Sequence, residues 1–223
     1  MSKQNTAPKI ERRFFSSAVE ERAAGNADGF DFGGLASRTG TEYVLYENST
    51  DVYVEEIAPT AFDNVLGDDV RVLFNHKDSH ILGRTKSGTA KIMVEGDGLR
   101  YAWKNDPAIS YANDLAISIR RGDIDQSSFG FSSAEENSTY TVSTRADGKR
   151  MHKRMVNLMD ALWDVSPVTY PASASTEVSE RDAISAFEDG EKRSKTQCPP
   201  VEEADVLDIY FKRLALNEKL ATT

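Results

Sequence analysis

Residues 126–131 read Gln-Ser-Ser-Phe-Gly-Phe, a short run that carries two serines and one glycine. The flanking strand-like segments predict that this run is itself a strand of a β-rich domain. Neighbouring residues of a regular strand face opposite sides of the sheet, so we expect Ser127 and Ser128 to point in opposite directions. Gly130 indicates a bulge or the close approach of another part of the chain. A tight sheet position explains Ser128 as well as a nucleophile does, so the rest of the sequence has to decide between them.

Strand-like segments lie on both sides of this run. They are rich in β-branched and aromatic residues and are bounded by turn residues. They comprise residues 13–20, 30–36, 43–46, 52–57, 70–74 and 81–85 before the run, and residues 140–143, 151–158 and 163–165 after it. Residues 91–94 and 99–103, separated by Glu-Gly-Asp-Gly, predict a hairpin.

Three other segments have the apolar spacing of helices. Residues 59–66 begin with Pro59 and stop at a glycine, and residues 110–121 also stop at a glycine. Residues 206–216 form a short amphipathic segment near the end of the sequence. Together with the strands, these segments predict an α+β fold.

The two ends of the sequence differ in composition from its middle. Residues 1–10 are polar and are predicted to be disordered, and residues 171–176 have the composition of a linker. A chain of 223 residues is long enough for one well-buried domain and an appendage. We therefore expect one domain at residues 11–176 and an acidic tail at residues 177–223 that contains the short helix.

Composition argues against several classes of partner. The net charge of -9 and the pI of about 4.9 do not suit a nucleic-acid-binding surface. Cys198 is the only cysteine, which excludes an intramolecular disulfide and a four-cysteine metal site. No window approaches the apolar length of a membrane span, and no apolar segment follows the basic residues at the amino end. We expect a soluble, intracellular protein that binds neither nucleic acid nor membrane.

A serine nucleophile needs a base, and histidine is the first candidate because it can take the hydroxyl proton at neutral pH. The sequence contains three histidines, His76, His80 and His152. His76 follows an apolar strand and precedes a polar turn, a place where scaffolds often present functional side chains. An ordinary histidine at a strand end would fit this position as well.

A zinc site is an alternative use of His76 and His80. Their four-residue spacing suits zinc on a helix, but Lys77 stands where the metalloprotease pattern requires glutamate. Their flanks also look like strands, on which this spacing would separate the rings by about 13 Å. We therefore expect no metal and no cofactor.

Three motifs in order resemble those of the prohead maturation proteases of tailed bacteriophages, a family similar in fold to the herpesvirus assemblin proteases. They are Leu-Phe-Asn-His-Lys-Asp at 73–78, Ser-Phe-Gly-Phe at 128–131 and Leu-Trp-Asp-Val-Ser-Pro-Val at 162–168. Pro-Thr-Ala-Phe at 59–62 and Gly-Asp-Ile at 122–124 look like two further elements of the family. The resemblance covers roughly residues 10–176 and implies a β-barrel with peripheral helices.

The resemblance implies a serine endopeptidase in which His76 is the general base and Ser128 the nucleophile. The family usually has glutamate at the position of Asp164, in a Leu-x-Glu-Val-Ser-x-Val pattern, and the shorter aspartate could still accept a hydrogen bond from the imidazole. In the viral relatives the third residue is a histidine, so His152 is a rival to Asp164; we favour Asp164. Considered alone, Asp164 could equally cap a turn or pair with a surface arginine.

The resemblance also implies substrates and a place of action. The family cuts the scaffolding segment of the capsid protein, the scaffold protein and itself inside the immature shell. We therefore expect the major capsid protein and scaffold segments as partners, self-association, and action inside the prohead in the host cytoplasm. The tail could be removed by self-cleavage, could dock the enzyme during assembly, or could be a plain solvated segment.

The main alternative function is that of a non-enzymatic assembly or scaffold protein on the same fold. A zinc hydrolase that uses His76 and His80 is a third possible function.

Overall fold

The computed structural model describes residues 10–15, 18–23 and 25–170, together with Ile184 and Phe187. The predictions for residues 1–9, for the linker and for the terminal helix lie outside the described residues, as does nearly all of the predicted acidic tail.

Thirteen strands and one α-helix are formed by the described residues. The strands are β1 (Glu11–Phe15), β2 (Val19–Glu21), β3 (Phe32–Arg38), β4 (Glu42–Glu47), β5 (Asp51–Ile57), β6 (Arg71–Phe74), β7 (Lys77–Arg84), β8 (Ala90–Glu95), β9 (Gly98–Trp103), β10 (Gln126–Ser132), β11 (Ser138–Thr144), β12 (Arg150–Val156) and β13 (Ala161–Val168). The helix α1 (Ser110–Arg120) lies between β9 and β10, and a single 3₁₀ turn covers Glu135–Asn137.

Backbone pairing divides the strands among three sheets. The five-stranded sheet has the order β1-β10-β13-β6-β7, the β5 sheet has the order β11-β12-β5-β4, and the β9 sheet has the order β2-β3-β9-β8. The pairs β13–β6 and β12–β5 are parallel, and the other pairs are antiparallel. The five-stranded sheet therefore contains every strand that carries one of the three resemblance motifs.

The predicted hairpin and the central helix are confirmed. Strands β8 and β9 pair from Ala90↔Trp103 to Glu95↔Gly98, across the predicted glycine turn. Helix α1 buries Ala112, Leu115 and Ala116 together with Ile119, the apolar stripe of an amphipathic helix. Sequence periodicity was sufficient here because each element is defined by contacts close in the chain.

The predicted helix at residues 59–66 is wrong. This segment is a series of turns, in which the amide of Asp63 bonds to Thr60 and the amide of Val65 bonds to Phe62, three residues back rather than four. Phe62 and Val65 are nevertheless fully buried. The apolar spacing thus marked the side that faces the core, which a run of turns can present as well as a helix.

The expected β-barrel with peripheral helices is supported only in part. The described residues are mostly strand and contain one α-helix, and each of their three sheets keeps two edge strands. A closed barrel has no edges, so the observed pairing does not form one. Within these residues no helix is both long and apolar enough to cross a membrane.

Strand β10 has two chemically different faces. Phe129 and Phe131 are buried in the core, where their rings stack 5.1 Å apart and Phe62 meets Phe129 edge-on at 6.0 Å. Because side chains alternate along a strand, Ser128 and Gly130 lie on the other face. Core packing of the two phenylalanines therefore fixes which serine is presented to the site.

Candidate active site

Two neighbouring strands supply a polar row on one face of the five-stranded sheet. Strands β10 and β13 pair in a register that sets Ser128 opposite Ser166 and Gly130 opposite Asp164. Alternate residues of a strand share a face, so all four lie on the same side of the sheet. The register shifts after Gly130, so that Phe131 pairs with Leu162 and Trp163 has no partner on β10. This bulge turns Leu162 towards the core, although Asp164, two residues later, faces the site.

His76 reaches this row from the turn between β6 and β7. Strand β6 runs parallel to β13, so its following turn lies beside the end of β13, where the amide of Asn75 bonds to the carbonyl of Pro167 at 3.1 Å. Both turn residues have left-handed backbone, with φ of 54° at Asn75 and 55° at His76. This tight turn points the imidazole back over the sheet instead of outward along the strand.

The imidazole lies between a hydroxyl and a carboxylate. Its Nδ1 is 2.5 Å from Asp164 Oδ2, and its Nε2 is 2.5 Å from Ser128 Oγ. A carboxylate can only accept hydrogen bonds, so Nδ1 carries the proton and donates to Asp164. Nε2 is then the acceptor for the Ser128 hydroxyl. The three residues selected by sequence are thus brought together in the order serine, histidine, aspartate.

The site is shielded from water. The Ser128 side chain has no exposed area, and those of His76 and Asp164 are 10% and 8% exposed. Phe14, the β1 residue paired with Ser128, contacts the imidazole edge-on with ring centroids 5.9 Å apart. Hydrogen bonds within a dry site are electrostatically stronger than in water.

Two residues of the site, Ser166 and Gly130, were not assigned a catalytic role from the sequence. Ser166 is buried and donates a 2.9 Å hydrogen bond to Asp164 Oδ2, and its oxygen accepts the backbone N–H of His76 at 3.3 Å. Gly130 lies under the carboxylate, where an added Cβ would be 2.6 Å from Asp164 Oδ1. The glycine signal in the sequence did indicate a bulge or close approach, and the structure contains both. For Ser166, the sequence does give its position two residues after Asp164, and alternate residues of a strand share a face.

Ser127 faces away from the site, as the strand alternation predicted. Its hydroxyl is 2.9 Å from the Tyr101 hydroxyl on the buried side of the sheet. Burial raises the pKa of Tyr101 well above its ordinary value, although the hydrogen bond with Ser127 partly opposes this. Ser127 therefore supports packing between the five-stranded and β9 sheets.

The two other histidines, His152 and His80, lie outside this site. His152 belongs to the β5 sheet, where its Nε2 is 2.9 Å from Asp51 Oδ1 and its ring stacks on Tyr53 at 4.5 Å. His80 lies on β7, with Nδ1 2.9 Å from Ser79 Oγ and its ring 4.8 Å from that of Tyr111. In the described part of the chain, no group of three or more histidine, cysteine, aspartate or glutamate residues is placed to hold a metal ion.

Comparison with known proteins agrees with the resemblance seen in the motifs. The profile of the family described as "Caudovirus prohead serine protease" matches residues 17–189. A protein named "Prohead protease" from Enterobacteria phage HK97 is 27% identical over 150 residues, which cover 66% of this chain and 61% of that relative. No solved structure matches the chain. Because the profile spans most of the sequence, including all three motifs, the chain belongs to the caudovirus prohead serine protease family.

Proposed function

We propose that this protein is a serine endopeptidase of phage capsid maturation, with Ser128 as nucleophile, His76 as general base and Asp164 as the residue that orients His76. The observation that carries the proposal is the imidazole held between Ser128 Oγ and Asp164 Oδ2, at 2.5 Å from each. Hydroxyl, imidazole and carboxylate in hydrogen-bonded sequence are the arrangement that activates a serine for acyl transfer.

The proposed reaction follows from these contacts. Ser128 Oγ attacks the peptide carbonyl while its proton passes to His76 Nε2, and Asp164 stabilises the resulting imidazolium. The tetrahedral intermediate collapses to an acyl-enzyme as His76 returns the proton to the leaving amine. His76 then deprotonates a water that attacks the ester, and the second intermediate releases the carboxylate product as His76 returns the proton to Ser128 Oγ. Backbone N–H groups would stabilise the oxyanion in both stages.

Aspartate is shorter than the family's usual glutamate, but it can still reach His76 because the paired strands β10 and β13 hold Asp164 close to the site. Asp164 lies on the neighbour of the nucleophile strand, and Gly130 leaves room for the carboxylate to lie across β10. We therefore propose Asp164, and not His152, as the third member. The kinship with herpesvirus assemblin proteases remains part of this proposal.

The substrates follow from the family. We propose that the enzyme cuts the scaffolding segment of the major capsid protein, the scaffold protein and itself, inside the prohead in the host cytoplasm. The HK97 relative is itself named a prohead protease, which supports this assignment. Self-cleavage between copies would require self-association. We further propose a protease domain at residues 11–176 and a removable acidic tail at 177–223.

Intact mass after expression tests the proposal. Wild type is expected to lose a piece with a boundary after Thr176, whereas Ser128→Ala and His76→Ala stay full length. A fluorophosphonate should label wild type at Ser128 and neither variant. Asp164→Asn is expected to slow labelling by about 10⁴-fold, because the imidazole loses its required tautomer.

Ser127→Ala is the matched control. Its hydroxyl lies one residue away on the opposite face, so cleavage and labelling should continue, with a loss of about 1–3 kcal/mol in stability because Tyr101 loses a buried partner. Identical clipping of all variants would indicate a host protease and would contradict self-cleavage.

A non-enzymatic assembly protein is the second candidate, and the complete burial of Ser128 favours it. The two functions separate on co-expression with the coat protein. An enzyme loses all coat processing on Ser128→Ala while keeping its fold. An assembly protein supports shell formation equally with either residue and is never labelled.

A further inference from the structure

The turn that carries His76 has an unusual backbone. Among the described residues, Asn75 and His76 are the non-glycine residues with positive φ, and they are consecutive. Side chains disfavour this left-handed region, and asparagine tolerates it better than most. Such a conformation persists only where surrounding contacts determine it, and it concentrates at functional sites.

The contacts that determine it come from the end of β13. The Asn75 side chain donates from Nδ2 to Thr169 Oγ1 at 3.0 Å and accepts the Thr169 backbone N–H at Oδ1 at 2.9 Å. The Asn75 backbone N–H bonds to the Pro167 carbonyl, and the His76 backbone N–H bonds to Ser166 Oγ. We name these four hydrogen bonds the turn clamp.

The turn clamp ties His76 to the strand that carries its carboxylate partner. Asp164 lies on β13 with Ser166 and Pro167, so the clamp fixes the position of the turn that carries His76 relative to the strand that carries the carboxylate. We propose that Asn75 is a positioning residue that holds His76 with Nδ1 on Asp164 and Nε2 on Ser128. This inference rests on the proposed function, because it assigns Asn75 a part in that reaction.

Three substitutions at position 75 separate conformation from hydrogen bonding. Asn75→Ala removes both side-chain bonds and disfavours the left-handed backbone. Asn75→Gly removes the same bonds but permits that backbone freely. Asn75→Asp keeps the acceptor for the Thr169 N–H and can accept from the Thr169 hydroxyl, so it is the conservative variant.

The measurement is peptide hydrolysis, with kcat and KM determined separately. Misplacing a catalytic group by about 1 Å costs on the order of a hundredfold in rate. We expect Asn75→Ala and Asn75→Gly to lose about that factor in kcat with KM within about twofold of wild type, because the proposed role of Asn75 is exerted through His76 and not through contact with the substrate. Asn75→Asp should recover most of the loss, and Thr169→Val, which keeps the backbone bond, should show an intermediate loss.

A matched control addresses folding. Asn48 also stabilises a turn through its side chain, in the β4–β5 connection, where its Oδ1 accepts the backbone N–H groups of Thr50 and Asp51 at 2.8 and 2.7 Å. Asn48→Ala should lower thermal stability as much as Asn75→Ala but leave kcat unchanged. If both variants lose the same fraction of kcat, Asn75 acts only through stability and the inference is wrong.

A second readout does not need activity. In the Ser128→Ala background, proton NMR should show the low-field signal of the His76 Nδ1 proton bonded to Asp164, and Asp164→Asn should abolish it. Adding Asn75→Ala or Asn75→Gly should remove or broaden the signal. A signal that survives both substitutions would overturn the inference, even if the wild-type protein cut no substrate. An inactive wild type with a signal that depends on Asn75 would instead refute the proposed function alone.

Discussion

At the scale of single residues, the site depends on a glycine at a position where any larger residue would collide with Asp164. Gly130 faces Asp164 across the β10–β13 pair, and the carboxylate occupies the space that a Cβ would fill. Ser166 then holds Asp164 Oδ2 from the other side at 2.9 Å. The aspartate is therefore confined to the position from which it meets His76.

Gly130→Ala tests this confinement. The new methyl would be 2.6 Å from Asp164 Oδ1, so the carboxylate must shift from the position in which its Oδ2 meets His76. We expect a fall in kcat of about a hundredfold, as for a misplaced catalytic group. Gly67→Ala is the matched control because no atom lies within 4 Å of its added Cβ. Equal kcat for Gly130→Ala and wild type would show that the close approach has no catalytic consequence.

At the scale of elements, β1 joins the site to the β5 sheet. Phe14 faces His76, whereas Glu11 and Arg13 point to the opposite side. There Arg13 bonds Glu55 through Nε at 2.5 Å, and Arg154 bonds Glu11 through Nη1 at 2.5 Å. Glu55 is fully buried and also accepts from the Tyr43 hydroxyl. Buried charges that are paired in this way are costly to break.

Glu11 makes this network sensitive to acid. Burial opposes its ionisation, but the charges of Arg13 and Arg154 and their hydrogen bonds outweigh burial and lower its pKa from 4.5 to about 2. A carboxyl whose pKa is lower in the folded state stabilises the fold above its unfolded pKa, and this stabilisation is lost as the pH falls towards 2.

Glu11→Gln should therefore destabilise the protein most at neutral pH. We expect a loss of about 3 kcal/mol at pH 7, shrinking to less than about half at pH 3. Urea unfolding of wild type and Glu11→Gln at the two pH values measures this difference in the free energy of unfolding. Glu20→Gln, which changes an exposed glutamate on β2, is the control. A difference that does not change with pH would contradict the assigned pKa.

At the scale of the whole molecule, the segment after the predicted linker contacts the domain. Phe187 is 2% exposed, and its ring meets Tyr53 edge-on at 5.4 Å and Tyr140 at 5.9 Å. Both tyrosines belong to the β5 sheet, and the family match extends to residue 189. Cleavage directly after Thr176, as proposed above, would remove this aromatic contact from the remaining domain.

Phe187→Ala is expected to lower stability by about 3 kcal/mol, the usual cost of removing a buried phenyl ring. Tyr170→Ala, at an aromatic residue that is 81% exposed, should change stability by less than about 0.5 kcal/mol. Thermal unfolding of the two variants in the Ser128→Ala background avoids self-cleavage. Equal melting temperatures would show that the Phe187 contact contributes nothing to the fold.

The sequence by itself determined the local elements and the residue types of the site. The β8–β9 hairpin, helix α1 and the opposite orientations of Ser127 and Ser128 follow from periodicity and turn residues, which act over short stretches of chain. The three motifs that resemble the prohead protease family singled out His76, Ser128 and Asp164. The error at residues 59–66 arose because turns and helices can bury the same apolar spacing.

Only the tertiary structure decided which of these residues meet. His76 lies 52 positions from Ser128 and 88 from Asp164, and their contacts depend on the β10–β13 register, the parallel β6–β13 pair and the left-handed turn. A different pair, the parallel strands β12 and β5, brings His152 to Asp51 in another sheet. Local sequence cannot specify such contacts, because strand pairing is selected by the packing of the whole core.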